Sequence, residues 1–371
     1  LILGWFVLER TGSVLQLTLF GALQFLGTLA APLFGVAGDR FGRRTMLLSV
    51  RATLGVVSAT IAVLALSGVL EPAHVFVCTF IAGLARPSDL IMRNSLIGDT
   101  MNARSLVPAL GLMRTTMDSA RIAGALAGSG LVAALGIGSA YLAVVAFYAT
   151  SFLLTLGVLC VPRAAPAESG WAAPWRDLKD GLAYAWRTPA VLALLIAACL
   201  INLTAFPITQ SMLPYVAREV FRIGATGLGQ LSASFAAGAL LGSLAMTIAG
   251  TRLQSGRFML VNIVLWHLAL VGFAFAGTKA VAIVALLGAG LFQSLATISI
   301  AGLLLRSVEE RFRARVMGLR MLAVYSLPIG ILGMGPLIGL MGYAEAVTAY
   351  AVAGIVLSGL MVLRWKLLLR V

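Results

Sequence analysis

An all-α integral membrane protein is the fold class this sequence predicts, with twelve helices in two six-helix repeats and a first helix truncated at its start. Three observations predict it. Hydrophobic residues make up 60% of the 371-residue chain and charged ones only 11%, against about a quarter charged in soluble domains. Mean hydropathy is +1.01, so lipid must solvate most of this surface. Apolar stretches long enough for about 30 Å of hydrocarbon, ~20 residues each, recur along the chain with positive charge gathered in alternate loops.

Taken in order, residues 1–8 (LILGWFVL) are too short to span and read as the tail of a first helix. They lack the basic flank and cleavage site of a signal peptide. Further spans fall near 13–34, 46–68, 74–97, 108–134, 139–161, 189–211, 227–249, 257–276, 280–305, 315–341 and 343–363. Each must be helical, because lipid offers backbone groups no water to bond. The chain thus divides into a six-helix bundle at 1–161, a linker at 162–188 and a second six-helix bundle at 189–371. The linker opens with PRAAPAESG and continues as WAAPWRDLKDGLAYAWR, with Trp175, Leu178, Leu182 and Trp186 at helical spacing. That pattern predicts an amphipathic helix on the inner membrane surface, in preference to one seated on a soluble domain.

With the 35–45 loop placed in the cytoplasm, alternation assigns every other loop. Arg40, Arg43, Arg44, Arg104, Arg163, Arg176, Lys179, Arg187, Arg252, Arg257, Arg306, Arg311, Arg313, Arg315, Arg364, Lys366 and Arg370 then lie inside, and only Arg10, Arg218, Arg222 and Lys279 outside. This asymmetry sets both termini in the cytoplasm, the membrane being of the bacterial inner (plasma) type. The net charge of +14 therefore orients the chain and meets anionic lipid head groups, and no nucleic-acid partner is implied. Cys78, Cys160 and Cys199 sit in apolar runs as small hydrophobes. His74 and His267 are isolated. No metal cluster, catalytic triad or phosphate-cradling loop is visible, so the expectation is no enzyme, metal or cofactor.

Between the second and third spans stands Gly35-x-x-Gly38-Asp39-Arg40-x-Gly42-Arg43-Arg44. Stop-transfer charge would explain the arginines but not the glycines, which permit a tight turn, or Asp39, which suits a helix N-terminus. IAGTRLQSGR (248–257) follows the eighth span in the same way, with Thr251 in the place of Asp39. GLMRTTMDSARIAG (111–124) and MGLRMLAVYSLPIG (317–330) match each other too, pairing Arg114 with Arg320. Two such repeats are a transporter architecture.

On this loop, the span count and the central linker, the whole chain resembles the major facilitator superfamily. ARPSDLIMRNSLIGD (85–99) and ALGLMRTTMDSARIAGALAG (109–128) look like its drug- and siderophore-efflux branch, which includes the enterobactin exporter and macrolide efflux pumps. The branch's Gly-Pro-x-x-Gly antiporter motif reads Gly124-Ala125-x-x-Gly128 here, without the proline. The resemblance implies a cytoplasmic latch of Gly35, Asp39, Arg40, Gly42, Arg43 and Arg44, with Asp99 as partner. It also implies an alternating-access secondary transporter acting as a monomer, with protons driving efflux of an amphipathic or anionic small molecule such as a drug or siderophore. Uptake of an organic anion and lysolipid flipping are alternatives within the fold. A non-transporting receptor or scaffold is the alternative outside it, and the absence of large loops tells against that class.

Away from the span ends, six arginines (Arg51, Arg86, Arg93, Arg114, Arg121 and Arg320) and two acids (Asp89 and Asp118) fall inside spans. Each costs ~2.5–3.5 kcal/mol near the bilayer centre unless it faces a cavity or a partner. Arg86-x-x-Asp89-x-x-x-Arg93 and Arg114-x-x-x-Asp118-x-x-Arg121 each occupy one helical face, and they mirror one another about the loop near 103–104. Two readings stand. One is a salt-bridge network between the fourth and fifth helices, carried by Arg93 and Arg114. The other adds substrate binding by Arg86, Asp89, Asp118 and Arg121, whose excess positive charge suits an anionic group. Asp118 and Asp89, the acids well inside spans, are the proton-coupling candidates. In the second half Asn202 and Gln293 are expected to face the cavity, and Pro207, Pro214 and Pro328 to kink their helices.

Overall fold

A computed structural model describes residues 1–30, 41–100, 103–158, 173–249, 255–309 and 312–366, and every regular element among them is helical. Helix α1 (Ile2–Thr11) ends at Gly12, whose φ of 62° lets its N–H reach the Leu8 carbonyl. The Ser13 side chain then caps α2 (Val14–Leu23), which tightens into a 3-10 turn at Leu26–Ala30. Helix α3 (Arg43–Leu66) begins after Gly42, at φ 86°, the positive-φ turn that a glycine there supplies. Helix α4 covers Pro72–Thr100. Helix α5 (Ala103–Leu156) has 54 residues, too many for one crossing, and breaks at Gly136 into two limbs. These are the fifth and sixth spans.

Helix α6 (Ala173–Arg187) meets α7 (Pro189–Thr204) at a bend of 112°. The seventh span continues through α8 (Phe206–Ser211), Leu213–Tyr215 and a π turn at Val216–Val220. Helices α9 (Ala225–Ala249), α10 (Gly256–Ala274) and α11 (Lys279–Ser307) follow. The eleventh span is α12 (Arg313–Leu322), a 3-10 turn and α13 (Ser326–Met341), and α14 (Tyr343–Arg364) is the last. Pro207, Pro214 and Pro328 each fall within the first turn of a restarted helix, where the missing N–H costs nothing.

Among the described residues, seven helices are long and apolar enough to cross a membrane. Helix α4 is not one of them, since Arg86, Asp89 and Arg93 interrupt its apolar run. With α5 counted as two, the element order is consistent with twelve spans. Ile248, Leu340 and Phe147 are 88%, 82% and 75% exposed, as suits side chains solvated by hydrocarbon.

Small residues set the closest crossings. A Cβ on Gly83 of α4 would strike the Leu23 carbonyl of α2, and one on Gly27 would strike the Gly83 carbonyl. Pro87 has no N–H to offer that carbonyl four residues back. The second half repeats the crossing between α9 and α11, where a Cβ on Gly238 would meet the Leu287 carbonyl and one on Gly290 the Phe235 carbonyl. Among the described residues, two seams make the broadest contacts between the halves. Helix α2 packs on α13, with Thr18 against Gly335, and the first limb of α5 packs on α9, with Ser129 and Ala125 against Gly229. Exchanging second span for eighth and fifth for eleventh converts one seam into the other, as parallel repeats about a central axis require. On α6, Tyr184 stacks on Phe312 with centroids 4.3 Å apart and Asp180 pairs with Arg315 at 3.7 Å, while Leu182 and Trp186 stay exposed.

Candidate functional site

A cavity of about 800 Å³ lies between the two halves. Its floor is built where apolar helices are interrupted. From α4 come Arg86, Asp89 and Arg93, from the first limb of α5 Arg121, and from its second limb Tyr141. The second half contributes Thr209, Gln210 and Ser211, the polar triplet between the breaks at Pro207 and Pro214. Phe20, Phe25, Met117, Leu213 and Phe235 supply apolar wall.

Among the described residues, three arginines and one aspartate line this space, a formal excess of two positive charges. Asp89 is held between two helices, bonded to Arg93 one turn along α4 and paired with Arg51 of α3 at 3.8 Å. Arg51 also donates to the Ser151 carbonyl at 2.7 Å and to the Thr155 hydroxyl on the second limb of α5. Among the described residues the aspartate is thus shared by Arg93 of its own helix and Arg51 of α3. The first limb of α5 packs on α9 across the seam. Arg121 donates to Gln210 Oε1 at 3.4 Å, across the two halves.

Arg86 is exposed to the cavity and makes no ion pair among the described residues. Asp118 is 5% exposed and does not line the cavity. The side chains of Arg114 and Asp99 lie outside the described residues, as do Gly35, Asp39 and Arg40 entirely. Of the remaining loop residues, Gly42 makes the turn into α3, and Arg44 donates to the carbonyls of Thr155 (3.2 Å) and Leu156 at the end of α5, a cation where the helix dipole favours one. Asn202 is turned away from the large cavity, with Nδ2 on the Ala198 carbonyl at 2.8 Å, and it borders a second cavity of about 160 Å³. Gln293 borders neither, its amide donating to Thr297 Oγ1 at 3.4 Å.

Sequence reasoning did not single out Tyr141 or Ser211. The Ser211 hydroxyl, the Ser232 hydroxyl and Arg93 Nε are buried at the cavity wall without a hydrogen bond among the described residues. Such groups call for water or a ligand. The signal for Ser211 was available: a Thr-Gln-Ser triplet flanked by prolines in an otherwise oily span. For Tyr141 nothing in the local pattern marks it, since only the break at Gly136 folds its limb back onto α3 beside the cavity.

The family profile described as Major Facilitator Superfamily matches residues 1–333. No curated protein sequence matches the chain. Among solved structures, the nucleoside transporter NupG superposes with a TM-score of 0.72 at 17% identity, covering 97% of this chain and 93% of its own. A POT family transporter in complex with a thioalcohol-conjugated peptide gives 0.72 at 12% identity, over 94% and 86%. The E. coli fucose:proton symporter FucP gives 0.61 at 14%, over 98% and 96%.

Proposed function

The chain belongs to the Major Facilitator Superfamily, and from that premise we propose that it is an alternating-access secondary transporter exporting an amphipathic organic anion at the expense of the proton gradient. One observation carries this reading: among the described residues Arg86, Arg93 and Arg121 converge with one acid, Asp89, on an 800 Å³ cavity that also has an aromatic wall. Guanidinium groups recognise carboxylate and phosphate by paired hydrogen bonds, and the apolar wall accepts the rest of an amphipath. The two bundles, 1–161 and 189–371, rock about this cavity, with 162–188 as the cytoplasmic strap and the 35–44 loop as the latch. Both termini lie in the cytoplasm of a plasma membrane, in keeping with the arginine distribution. The drug- and siderophore-efflux branch supplies the direction. The fold neighbour named as a fucose:proton symporter favours a second reading, proton-driven uptake through the same cavity.

Proteoliposomes with an imposed pH gradient test the proposal, loaded in turn with a carboxylated dye, a neutral dye of similar size and a fluorescent lysolipid. Export of the carboxylated dye that reverses with the gradient is expected. Arg121→Gln should slow the anionic dye about tenfold, the equivalent of ~1.4 kcal/mol, and leave the neutral dye within about twofold. Equal loss for both dyes would make Arg121 a structural residue, movement that ignores the gradient would remove proton coupling, and inward accumulation would select the uptake reading.

A further inference from the structure

The two halves bring different chemistry to the 800 Å³ cavity. Among the described residues, every charged side chain on its wall (Arg86, Asp89, Arg93 and Arg121) comes from the first half. The polar side chains that the second half adds, Thr209, Gln210, Ser211 and Ser232, are all neutral.

A serine or threonine inside a helix can donate its hydroxyl proton to a carbonyl three or four residues back. At this cavity Ser129 does so to Leu126 at 3.1 Å and Thr209 to Phe206 at 3.4 Å, and on α9 Ser234 does so to Leu231 at 2.8 Å. Ser211 and Ser232 do not. Five serine and threonine hydroxyls are buried without a hydrogen bond among the described residues, those of Thr79, Ser88, Ser211, Ser232 and Ser294. Of these, only Ser211 and Ser232 line the large cavity. Ser211 is itself only 3% exposed. Beside it, Gln210 accepts from Arg121 through Oε1, while its Nε2 makes no hydrogen bond among the described residues. The charged and neutral walls therefore meet at the Arg121–Gln210 contact, and one molecule can touch both. A cargo with a plain hydrocarbon body would leave the serine hydroxyls unpaired. A hydroxylated one can donate to them and accept from them.

We propose that the transported anion is hydroxylated. Its acid group lies on the arginines of the first half, its hydroxyl groups on Ser211, Ser232 and the Gln210 amide, and its apolar part on Phe20, Phe25 and Phe235. An aryl glycoside that carries a carboxylate has this composition. The inference rests on the reading of this cavity as the substrate site.

A coumarin series tests it by equilibrium binding to the full chain in nanodiscs. Methylumbelliferyl glucuronide has a carboxylate and sugar hydroxyls, methylumbelliferyl oxyacetate the carboxylate alone, and methylumbelliferyl glucoside the hydroxyls alone. The glucuronide should bind about tenfold more tightly than the oxyacetate. Ser211→Ala and Ser232→Ala should each weaken the glucuronide and the glucoside about fivefold, the loss of one neutral hydrogen bond, and leave the oxyacetate within about twofold. Neither should lower the melting temperature of the unliganded protein, because each removes an unpaired buried hydroxyl. Ser294→Ala, which removes an equally buried hydroxyl away from the cavity, should change no affinity. Equal binding of glucuronide and oxyacetate would overturn the proposal. So would serine variants that fail to fold, that weaken all three probes alike, or that weaken none, the last result assigning the hydroxyls to trapped water. Arg86→Gln should weaken the two acids and spare the glucoside; sparing all three would defeat the anion reading and leave the serine result standing. A glucuronide that binds but does not cross proteoliposomes would sink the transport reading alone.

Discussion

Asp89 is the residue on which the charge arrangement turns. It sits 21% exposed between Arg51, 14% exposed, and Arg93, 36% exposed. Removing one member of a buried ion pair strands the other and costs ~3–5 kcal/mol. Because Arg93 reaches the cavity and its water, Asp89→Asn should fall at the lower end, about 3 kcal/mol, measured by denaturation in detergent. Arg51→Met combined with Asp89→Asn should cost less than the sum of the two single changes, since the stranded cation is gone. Additive losses in that double-mutant cycle would show that Asp89 and Arg51 do not interact. Arg86 plays the opposite part. With no ion pair among the described residues, it keeps its charge available to whatever enters.

At the scale of elements, the breaks matter more than the helices. Gly136 has φ 79° and ψ 172°, a region in which essentially only glycine is comfortable. Nothing lies within 4 Å of where its Cβ would be, so Gly136→Ala tests backbone strain without steric confusion. A loss of about 1–3 kcal/mol in stability is expected. An unchanged unfolding midpoint would mean that the two limbs can be joined another way. Glycines spaced four residues apart divide similarly. Gly238 and Gly242 press on α11 and Gly335 on α2, whereas Gly124 and Gly339 face open space. Gly124 and Gly128 line the cavity, so that pair leaves room for a ligand and not for a helix.

For the whole molecule, the two seams and the repeated glycine crossings describe bundles that interchange about a central axis. Such a body can rock only if its loops lie on consistent sides of the membrane. Single cysteines at positions 41 and 309 should therefore both react with an impermeant thiol reagent from the cytoplasmic face, in inverted vesicles but not in intact cells. Labelling from opposite faces would break the alternation on which the transport proposal rests. Arg218 of the π turn donates to the Leu8 carbonyl at the end of α1, a bond that ties the two bundles together at the end of the cavity away from Arg93.

The sequence by itself determined the solvent, the all-helical membrane class and the family. These follow from hydropathy and repeat spacing, which are local properties of a chain in lipid. It also placed Arg86, Asp89 and Arg121 at one cavity, because charges that deep have few other places to go. Only the tertiary structure decided which charges meet. The mirrored ladders of the fourth and fifth helices have matching depths, but depth does not fix rotation or neighbour. Asp89 turned to Arg51, Arg121 turned to Gln210, and Asn202 and Gln293 turned away from the large cavity, because those choices depend on how glycines let the helices cross.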